Sequence, residues 1–253
     1  MSPENLCVVM SYSLLSSMRT RSEFHPRECS EDFPLSWMES DGCRFLVAAR
    51  TSSLRYPHTV NYDALARELR RAGCTHVISS ALCGALDANI AVPSLLIPDQ
   101  FIDMHRVPTT GTPSAGDDIR FEDFSFPYCQ PLRTHALSYL SRQHRYPVSA
   151  SGCYVGVDGP RYETASEVQA YRKLGGDVVG MTAVREAIAY REAGLCLATV
   201  ALVTNPGAGL GKGPVANADI QRTAAGFGDL FLDCGRYLAA QMTTLECTCR
   251  IAR

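Results

Sequence analysis

The segment "CYVGVDGPRYETASEVQAYRKLGGDVVG", residues 153–180, decides the fold class. An apolar run opens it, a Gly-Pro turn leads into a helix-like stretch, and two glycines precede a second apolar run. Both runs are continuous rather than alternating, which is typical of strands that are covered on both faces. The segment therefore predicts a helix between two buried strands.

Similar apolar runs recur along the chain, and helical patterns lie between several of them. This alternation predicts an α/β fold with a mainly parallel, helix-flanked sheet. We expect residues 1–253 to form a single domain, a last long helix from Ala216 to about Met242, and loops over residues 19–34 and 105–131. The predicted strands lie near Val8, Leu46, Ile78, Leu96, Val155, Val178 and Val200.

Composition limits the class of partner. The 253 residues carry 24 Lys and Arg against 26 Asp and Glu, and no long run of like charge suggests a nucleic-acid or membrane surface. The start of the sequence lacks the pattern of a signal peptide, and no stretch of 18 apolar residues occurs. We expect a soluble, cytoplasmic protein whose partner is a small molecule.

The 11 cysteines lack CxxC pairs, which suits a reducing compartment better than a disulfide framework. Cys247 and Cys249 form the tightest pair, and metal binding or oxidation there are both open alternatives. Since the nearby sequence has no His or further Cys to complete a tetrahedral set, no metal site is predicted.

Residues that follow the apolar runs are candidates for ligand binding, because ligands of open α/β sheets bind beyond the carboxyl ends of the strands. Tyr162, Glu163, Met181 and Asn205 are such residues. They offer a ring, an acceptor, a thioether and an amide, a set that suits a flat heteroaromatic ligand with polar edges. Each also has an ordinary alternative: Glu163 in a first helical turn, Asn205 in a turn, and Met181 in the core.

Residues 154–209, "YVGVDGPRYETASEVQAYRKLGGDVVGMTAVREAIAYREAGLCLATVALVTNPGAG", resemble the trimeric purine nucleoside phosphorylase and methylthioadenosine phosphorylase family. The likeness runs from about Leu46 to the C-terminal helix and is greatest for the branch that cleaves S-methyl-5'-thioinosine. It implies a doubly wound mixed β-sheet flanked by helices, a homotrimer, and phosphate as co-substrate with no metal or organic cofactor.

The resemblance also assigns roles at the base. Tyr162 is expected to stack beside the purine, Glu163 to accept the N1–H of a 6-oxopurine, and Asn205 to hydrogen-bond O6 and N7, which makes Glu163 and Asn205 the catalytic pair. Adenine has no N1–H and would leave Glu163 unpaired. The remaining substrate-binding residues are Met181 under the ribose, Cys83 and Gly84.

The phosphate end departs from the family pattern. Residues Met10 to Ser13 read "MSYS" where the family has a glycine-rich turn that cradles the anion. The expected phosphate ligands are Arg50, Thr182 and Ser80, although the His that follows the family's arginine is absent here. Possible substitutes are Arg19, Arg21 and Arg55.

Three functions therefore stay open: phosphorolysis of a 6-oxopurine nucleoside such as inosine, guanosine or S-methyl-5'-thioinosine; hydrolysis or glycosyl transfer with another nucleophile; and binding without turnover. The hydrolase alternative lacks an evident general base, since the six histidines show no catalytic spacing and Asp158 or Glu186 would have to serve. At the sugar end, Ala218 and Phe121 replace histidines of the family, which predicts an apolar pocket for a 5'-deoxy or 5'-methylthio sugar.

Overall fold

One eleven-stranded mixed sheet runs through the computed structural model, which describes residues 5–16, 24–26, 32–40, 42–106, 121–247 and 249. Each of the seven predicted apolar runs forms a strand of this sheet, and four further short strands join it. The strands are β1 (Leu6–Met10), β2 (Phe24–Pro26), β3 (Leu35–Ser40), β4 (Cys43–Ala49), β5 (His76–Ala85), β6 (Ser94–Leu96), β7 (Gln100–Asp103), β8 (Val148–Ser149), β9 (Cys153–Gly156), β10 (Val178–Gly180) and β11 (Cys196–Pro206).

Helices cover both faces of the sheet, as predicted. Asn61 caps the second helix by accepting from the Ala64 N–H, and Thr164 caps the fourth in a reciprocal box with Glu167. The helices are α1 (Tyr12–Ser16), α2 (Tyr62–Arg71), α3 (Gln130–Arg142), α4 (Ala165–Lys173), α5 (Ala183–Glu192), α6 (Asn217–Ala224) and α7 (Phe227–Gln241). Among the described residues, none of these helices has the length and apolarity of a transmembrane span.

The continuous apolar runs are explained by alternate packing. In β1, Leu6, Val8 and Met10 join a core cluster that α3 and α7 share, whereas Cys7 and Val9 join a second cluster with α2 and α5. Successive side chains of a strand point to opposite faces, so a strand with helices on both sides must be apolar at every position.

Strand pairing confirms the expected doubly wound mixed sheet. Strand β5 is central: it pairs in parallel with β1 and β11 and antiparallel with β10. Strand β11 pairs with β5 along its whole length, from His76 to Ala85, so β1 and β10 both pair with the opposite edge of β5. There Val9 lies opposite Ser79 and Val179 opposite Gly84, so residues 80–83 face a gap between the ends of two strands that run toward each other. We call this gap the β5 window.

Three details differ from the sequence-based predictions. The expected helix from Ala216 to Met242 is two helices, because Gly226 adopts a left-handed φ of 75° and interrupts it. The predicted loop over residues 19–34 contains strand β2 at Phe24–Pro26. The predicted loop over 105–131 is irregular at residues 121–129 and ends where α3 begins at Gln130, while residues 107–120 lie outside the described chain.

Candidate functional site

The β5 window gathers residues from β5 itself and from the ends of two other strands. Ser80 and Cys83 belong to the window itself, Met181 and Thr182 follow β10, and Arg50 follows β4. The Arg50 N–H donates to the Met10 carbonyl oxygen at 3.1 Å, which ties the ends of β4 and β1 together. Met181, Thr182 and Arg50 thus follow strands, where ligand-binding residues are expected, whereas Ser80 and Cys83 lie within β5, which continues to Ala85.

Asn205 lies at the end of β11, directly opposite Gly84 of β5. Its Oδ1 accepts from the Thr204 hydroxyl at 2.9 Å, and its Nδ2 donates to the Pro206 carbonyl oxygen at 2.9 Å. A carboxamide has two N–H groups and two oxygen lone pairs, so one donor and one acceptor remain for a ligand. A Cβ at Gly84 would lie 3.2 Å from Asn205 Nδ2 and would crowd the amide, so glycine at this position makes room for the Asn205 side chain.

The turn from Asp158 to Thr164 is held at both ends. Asp158 accepts from Arg185 Nη2 at 2.5 Å and from the Arg106 N–H at 3.0 Å. At the other end, the Thr164 hydroxyl accepts from the Glu167 N–H, and the Glu167 carboxylate accepts from the Thr164 N–H. These contacts fix the backbone of the turn that carries Tyr162 and Glu163.

Glu163 is half-buried and is not the residue that caps a helix. The carboxylate in the first turn of α4 is Glu167, so the alternative role that the sequence allowed for Glu163 is wrong. Burial, the largest effect, raises the pKa of the Glu163 carboxyl above its ordinary value, although the residue's own N–H opposes this. A carboxylate placed there is a desolvated acceptor.

Packing of α4 brings the turn that carries Glu163 close to the end of β11. A Cβ at Gly209 would lie 2.7 Å from Ala165 Cβ, and one at Gly207 would lie 3.1 Å from Val168 Cγ2. The start of α4 therefore rests on the turn that follows β11. Because Glu163 lies two residues before Ala165 and Asn205 lies two residues before Gly207, the two residues are carried by backbone segments that pack on one another.

Tyr162 and Met181 each contact another part of the site. The Tyr162 hydroxyl donates to Asn217 Oδ1 at 3.3 Å, which links the turn to the first residue of α6. A Cβ at Gly159 would lie 2.4 Å from Met181 Sδ, so glycine is needed for the turn to pack on this thioether. Sequence reasoning missed Asn217, and its position one residue before Ala218 is the signal that could have found it.

Arg50 is already engaged inside the protein. Its Nε donates to Glu186 Oε1 at 2.8 Å, its Nη2 donates to Glu186 Oε2 at 2.9 Å, and both side chains are buried. Nη2 also contacts the Ser79 hydroxyl at 2.9 Å and the Ser80 carbonyl oxygen. Burial alone would lower the pKa of Arg50, but the Glu186 carboxylate outweighs burial and raises it. The guanidinium is thus charged, and its charge is balanced before any anion arrives.

The other predicted anion ligands are less constrained. The Ser80 hydroxyl donates to the Val9 carbonyl oxygen at 3.4 Å, and Thr182 precedes α5 without a side-chain capping bond. Arg55 pairs with Asp32 at 3.6 Å on the surface, and Arg19 and Arg21 lie outside the described residues. The turn after β1 is closed by the Ser11 hydroxyl, which accepts from the Leu14 N–H at 3.3 Å.

Two further predicted residues, Phe121 and Cys83, differ in exposure: the first lies on the surface and the second is buried. Phe121 is 95% exposed in the single chain and is not brought to the site. Cys83 is buried and its thiol donates to the Leu202 carbonyl oxygen at 3.4 Å, so it supports the wall next to Gly84. A cleft beside the turn contains Glu163 and Asp158, the candidate base of the hydrolase alternative. Its lining is Met104, Arg106, Val157, Asp158, Gly159, Arg161, Glu163, Glu167 and Tyr171.

Residues 56–232 match the family model described as the phosphorylase superfamily. The chain belongs to this superfamily. The resemblance inferred from the residues is therefore confirmed, and the strand-end residues described above lie within the matched region except Arg50.

Curated members of the superfamily include similar proteins. A 6-oxopurine nucleoside phosphorylase of Pyrococcus furiosus is 38% identical over 171 residues, covering 65% of this chain and 64% of that protein. A probable S-methyl-5'-thioinosine phosphorylase of Methanopyrus kandleri is 36% identical over 156 residues, covering 61% of this chain and 59% of that protein. The matches thus span less than two thirds of these relatives.

Solved structures of the superfamily share the fold over most of the chain. An adenosine/methylthioadenosine phosphorylase of Schistosoma mansoni, a double mutant in complex with adenine, has a TM-score of 0.81 at 20% identity, covering 93% of this chain and 92% of that one. A methylthioadenosine phosphorylase from an antarctic soil metagenomic library has a TM-score of 0.80 at 21% identity, covering 97% and 89%.

Proposed function

We propose that this protein cleaves the N-glycosidic bond of a 6-oxopurine nucleoside by phosphorolysis, as a pentosyltransferase of the purine nucleoside phosphorylase type. The observation that carries the proposal is the packing of the segment after Glu163 on the turn after Asn205, since one residue is a desolvated acceptor and the other is an amide with one donor and one acceptor to spare. The similarity to a 6-oxopurine nucleoside phosphorylase and to a probable S-methyl-5'-thioinosine phosphorylase supports the same substrate class.

The proposed chemistry uses these groups on the leaving purine. Glu163 accepts the N1–H of hypoxanthine or guanine, and the spare N–H of Asn205 donates toward O6 and N7. Negative charge moves onto the purine as the glycosidic bond breaks, so the Asn205 contact strengthens in the transition state. Adenine would leave the Glu163 carboxylate without a donor, a penalty of about 1–3 kcal/mol that favours 6-oxopurines.

The sugar and phosphate occupy the β5 window in this proposal. Met181 lies under the ribose, Tyr162 stacks beside the purine, and Cys83 with Gly84 forms the wall. Phosphate is the co-substrate. It is held by the hydroxyl groups of Thr182 and Ser80 and attracted by the positive charge of Arg50. No metal or organic cofactor is required for this chemistry.

A second candidate is cleavage with water or another nucleophile. It is favoured by the Arg50–Glu186 ion pair, which balances the charge of Arg50 before an anion can bind. It is weakened by its lack of a base: Glu186 is held by Arg50, and Asp158 is held by Arg185. Burial would raise the pKa of Asp158, but the Arg106 N–H and the Arg185 guanidinium outweigh it and lower that pKa.

Product analysis separates the candidates. The purified chain is incubated with inosine and with S-methyl-5'-thioinosine, each with and without phosphate. We expect sugar 1-phosphate that forms only with phosphate, and a higher kcat/KM for the methylthio nucleoside by about 10-fold or more, since Ala218 offers an apolar side chain at the sugar end. Free sugar in both conditions would support the second candidate. Hypoxanthine binding without product would contradict both.

We also propose that the chain acts as a homotrimer in which a neighbouring subunit closes the sugar end of the site. Phe121, Phe126 and Leu54 are 95%, 78% and 78% exposed in the single chain, and apolar surface of this kind favours association. Light scattering during gel filtration should give three times the chain mass of 27.6 kDa. A monomer that retains full activity would exclude a contribution from a neighbour.

A further inference from the structure

Four cysteines converge at the opposite end of β11 from the nucleoside site. Cys129, Cys196, Cys247 and Cys249 place their Sγ atoms within 4.8 Å of one another. Cys129 and Cys196 are buried, and the other two are half-buried. The reason for predicting no metal near Cys247 and Cys249 is therefore wrong, because the fold supplies the two missing cysteines from distant parts of the chain.

The two buried cysteines are fixed by backbone hydrogen bonds. The Cys129 N–H donates to the Leu197 carbonyl oxygen at 2.7 Å, and the Cys196 N–H donates to the Thr75 carbonyl oxygen at 2.9 Å. Cys129 immediately precedes α3, and Cys196 begins β11. Two sulfur atoms are thus presented by rigid elements, as a preorganised metal site requires.

The spacing of the sulfur atoms matches tetrahedral coordination. A Zn–S bond of ~2.3 Å in a tetrahedron separates the sulfur atoms by about 3.8 Å. The Cys196 and Cys247 Sγ atoms are 3.4 Å apart, and every other pair in the cluster is within the 4.8 Å limit. Four sulfur ligands in this arrangement select zinc or iron over harder cations.

A histidine lies where it can support a thiolate. The Nδ1 atom of buried His76 is 2.8 Å from the Thr75 hydroxyl, and its Nε2 atom is 3.6 Å from Cys247 Sγ. In the tautomer that carries its proton on Nε2, His76 donates this N–H to the Cys247 sulfur. Outer hydrogen bonds of this kind orient metal ligands and offset the net negative charge of a four-thiolate site.

We propose that Cys129, Cys196, Cys247 and Cys249 bind one structural Zn²⁺. Binding releases four protons, one from each thiol, and involves no change of oxidation state. Four protein ligands leave no open position for a substrate, as in structural rather than catalytic zinc sites. The ion would fasten the segment after α7 to the start of α3 and the start of β11. Cys196 and Asn205 are nine residues apart on one strand, about 30 Å, so the ion takes no part in nucleoside cleavage.

Metal analysis of the full chain, expressed in zinc-supplemented medium and purified without chelators, tests the proposal. We expect one zinc per chain, and all 11 thiols titratable after denaturation in chelator. Cobalt exchanged into the wild-type chain should give the thiolate charge-transfer and tetrahedral d–d bands of a four-sulfur site. Because both measurements use the wild-type chain, they do not depend on whether a variant folds.

Substitutions then locate the site. Cys247→Ser and Cys249→Ser should each lower zinc content at least 10-fold in the purified protein and lower Tm, whereas Cys43→Ser, at a half-buried cysteine outside the cluster, should retain one zinc. A metal-free chain with 11 free thiols would overturn the proposal. So would fewer titratable thiols, which would indicate disulfides in the cluster, and iron in place of zinc would overturn the choice of metal.

Discussion

Replacing Glu163 with glutamine is expected to lower kcat/KM for inosine by ~10²–10³-fold without loss of the fold. The amide accepts the purine N1–H more weakly than a carboxylate does, because hydrogen bonds to a charged acceptor are stronger. Its NH₂ group can also face the N1–H, donor against donor. Steady-state kinetics with saturating phosphate measure the effect, and the thermal midpoint should not fall, since the variant removes a partly buried charge.

The pH profile gives an independent readout of the same residue. Burial raises the pKa of Glu163, so the carboxylate takes up a proton at a higher pH than an exposed glutamate does. The protonated form is a weaker acceptor for the N1–H than the carboxylate, so kcat/KM should fall on the acidic side and be insensitive to this group at alkaline pH. This decrease at acidic pH is the acidic limb of the profile, and the Glu163→Gln variant should lose it.

Glu68→Gln is the matched control, because Glu68 lies on α2, which contributes no residue to the site. It should keep the wild-type rate and the wild-type acidic limb. Near-normal turnover of inosine by Glu163→Gln would remove Glu163 from the mechanism and, with it, the main support for a 6-oxopurine substrate.

The second large effect is on stability. Arg50→Met should lower the free energy of unfolding by ~3–5 kcal/mol, because it leaves the Glu186 carboxylate buried without its cation. The double variant Arg50→Met with Glu186→Leu should recover most of this loss, since removing both charges also removes the desolvation penalty. Denaturant unfolding of the two single variants and the double variant gives the coupling between the residues.

An exposed ion pair provides the contrast. Arg71→Met removes the partner of Glu68 at 3.8 Å on the surface of α2 and should change stability by less than ~1 kcal/mol. If Arg50→Met unfolds at the wild-type denaturant midpoint, the buried pair does not support the fold. Arg50 would then be better explained as a ligand held ready for an anion.

The layered fold was predictable because its strands are buried on both faces. Val8 and Val9 pack against opposite helical layers, so the apolar run that contains them is continuous and recognisable. Strands β2 and β3 were missed because they form an antiparallel edge with mixed polarity, such as Trp37 beside Glu39. The prediction of one long helix also failed at Gly226. The apolar pattern continues on both sides of this residue, but its left-handed backbone divides the segment into two helices.

The candidate site was predictable where its residues follow strands in the sequence and unpredictable where tertiary contacts define it. Glu163 and Asn205 could be placed at strand ends from the apolar runs before them. The pairing of Arg50 with Glu186 joins residues 136 positions apart, and no local pattern encodes it. The four-cysteine cluster has the same origin, because its members meet only after β11 and α3 have packed.

In the proposed reaction, the β5 window divides the chemistry between two parts of the chain. Strands β1 and β4 end on one side of it, and β9 and β10 end on the other, so the attacking group and the departing base are served by separate backbone segments. Substitutions in the turn after β1 can therefore alter which nucleophile is admitted without rebuilding base recognition. A fold divided in this way allows new transfer chemistry to evolve while specificity for the purine is inherited unchanged.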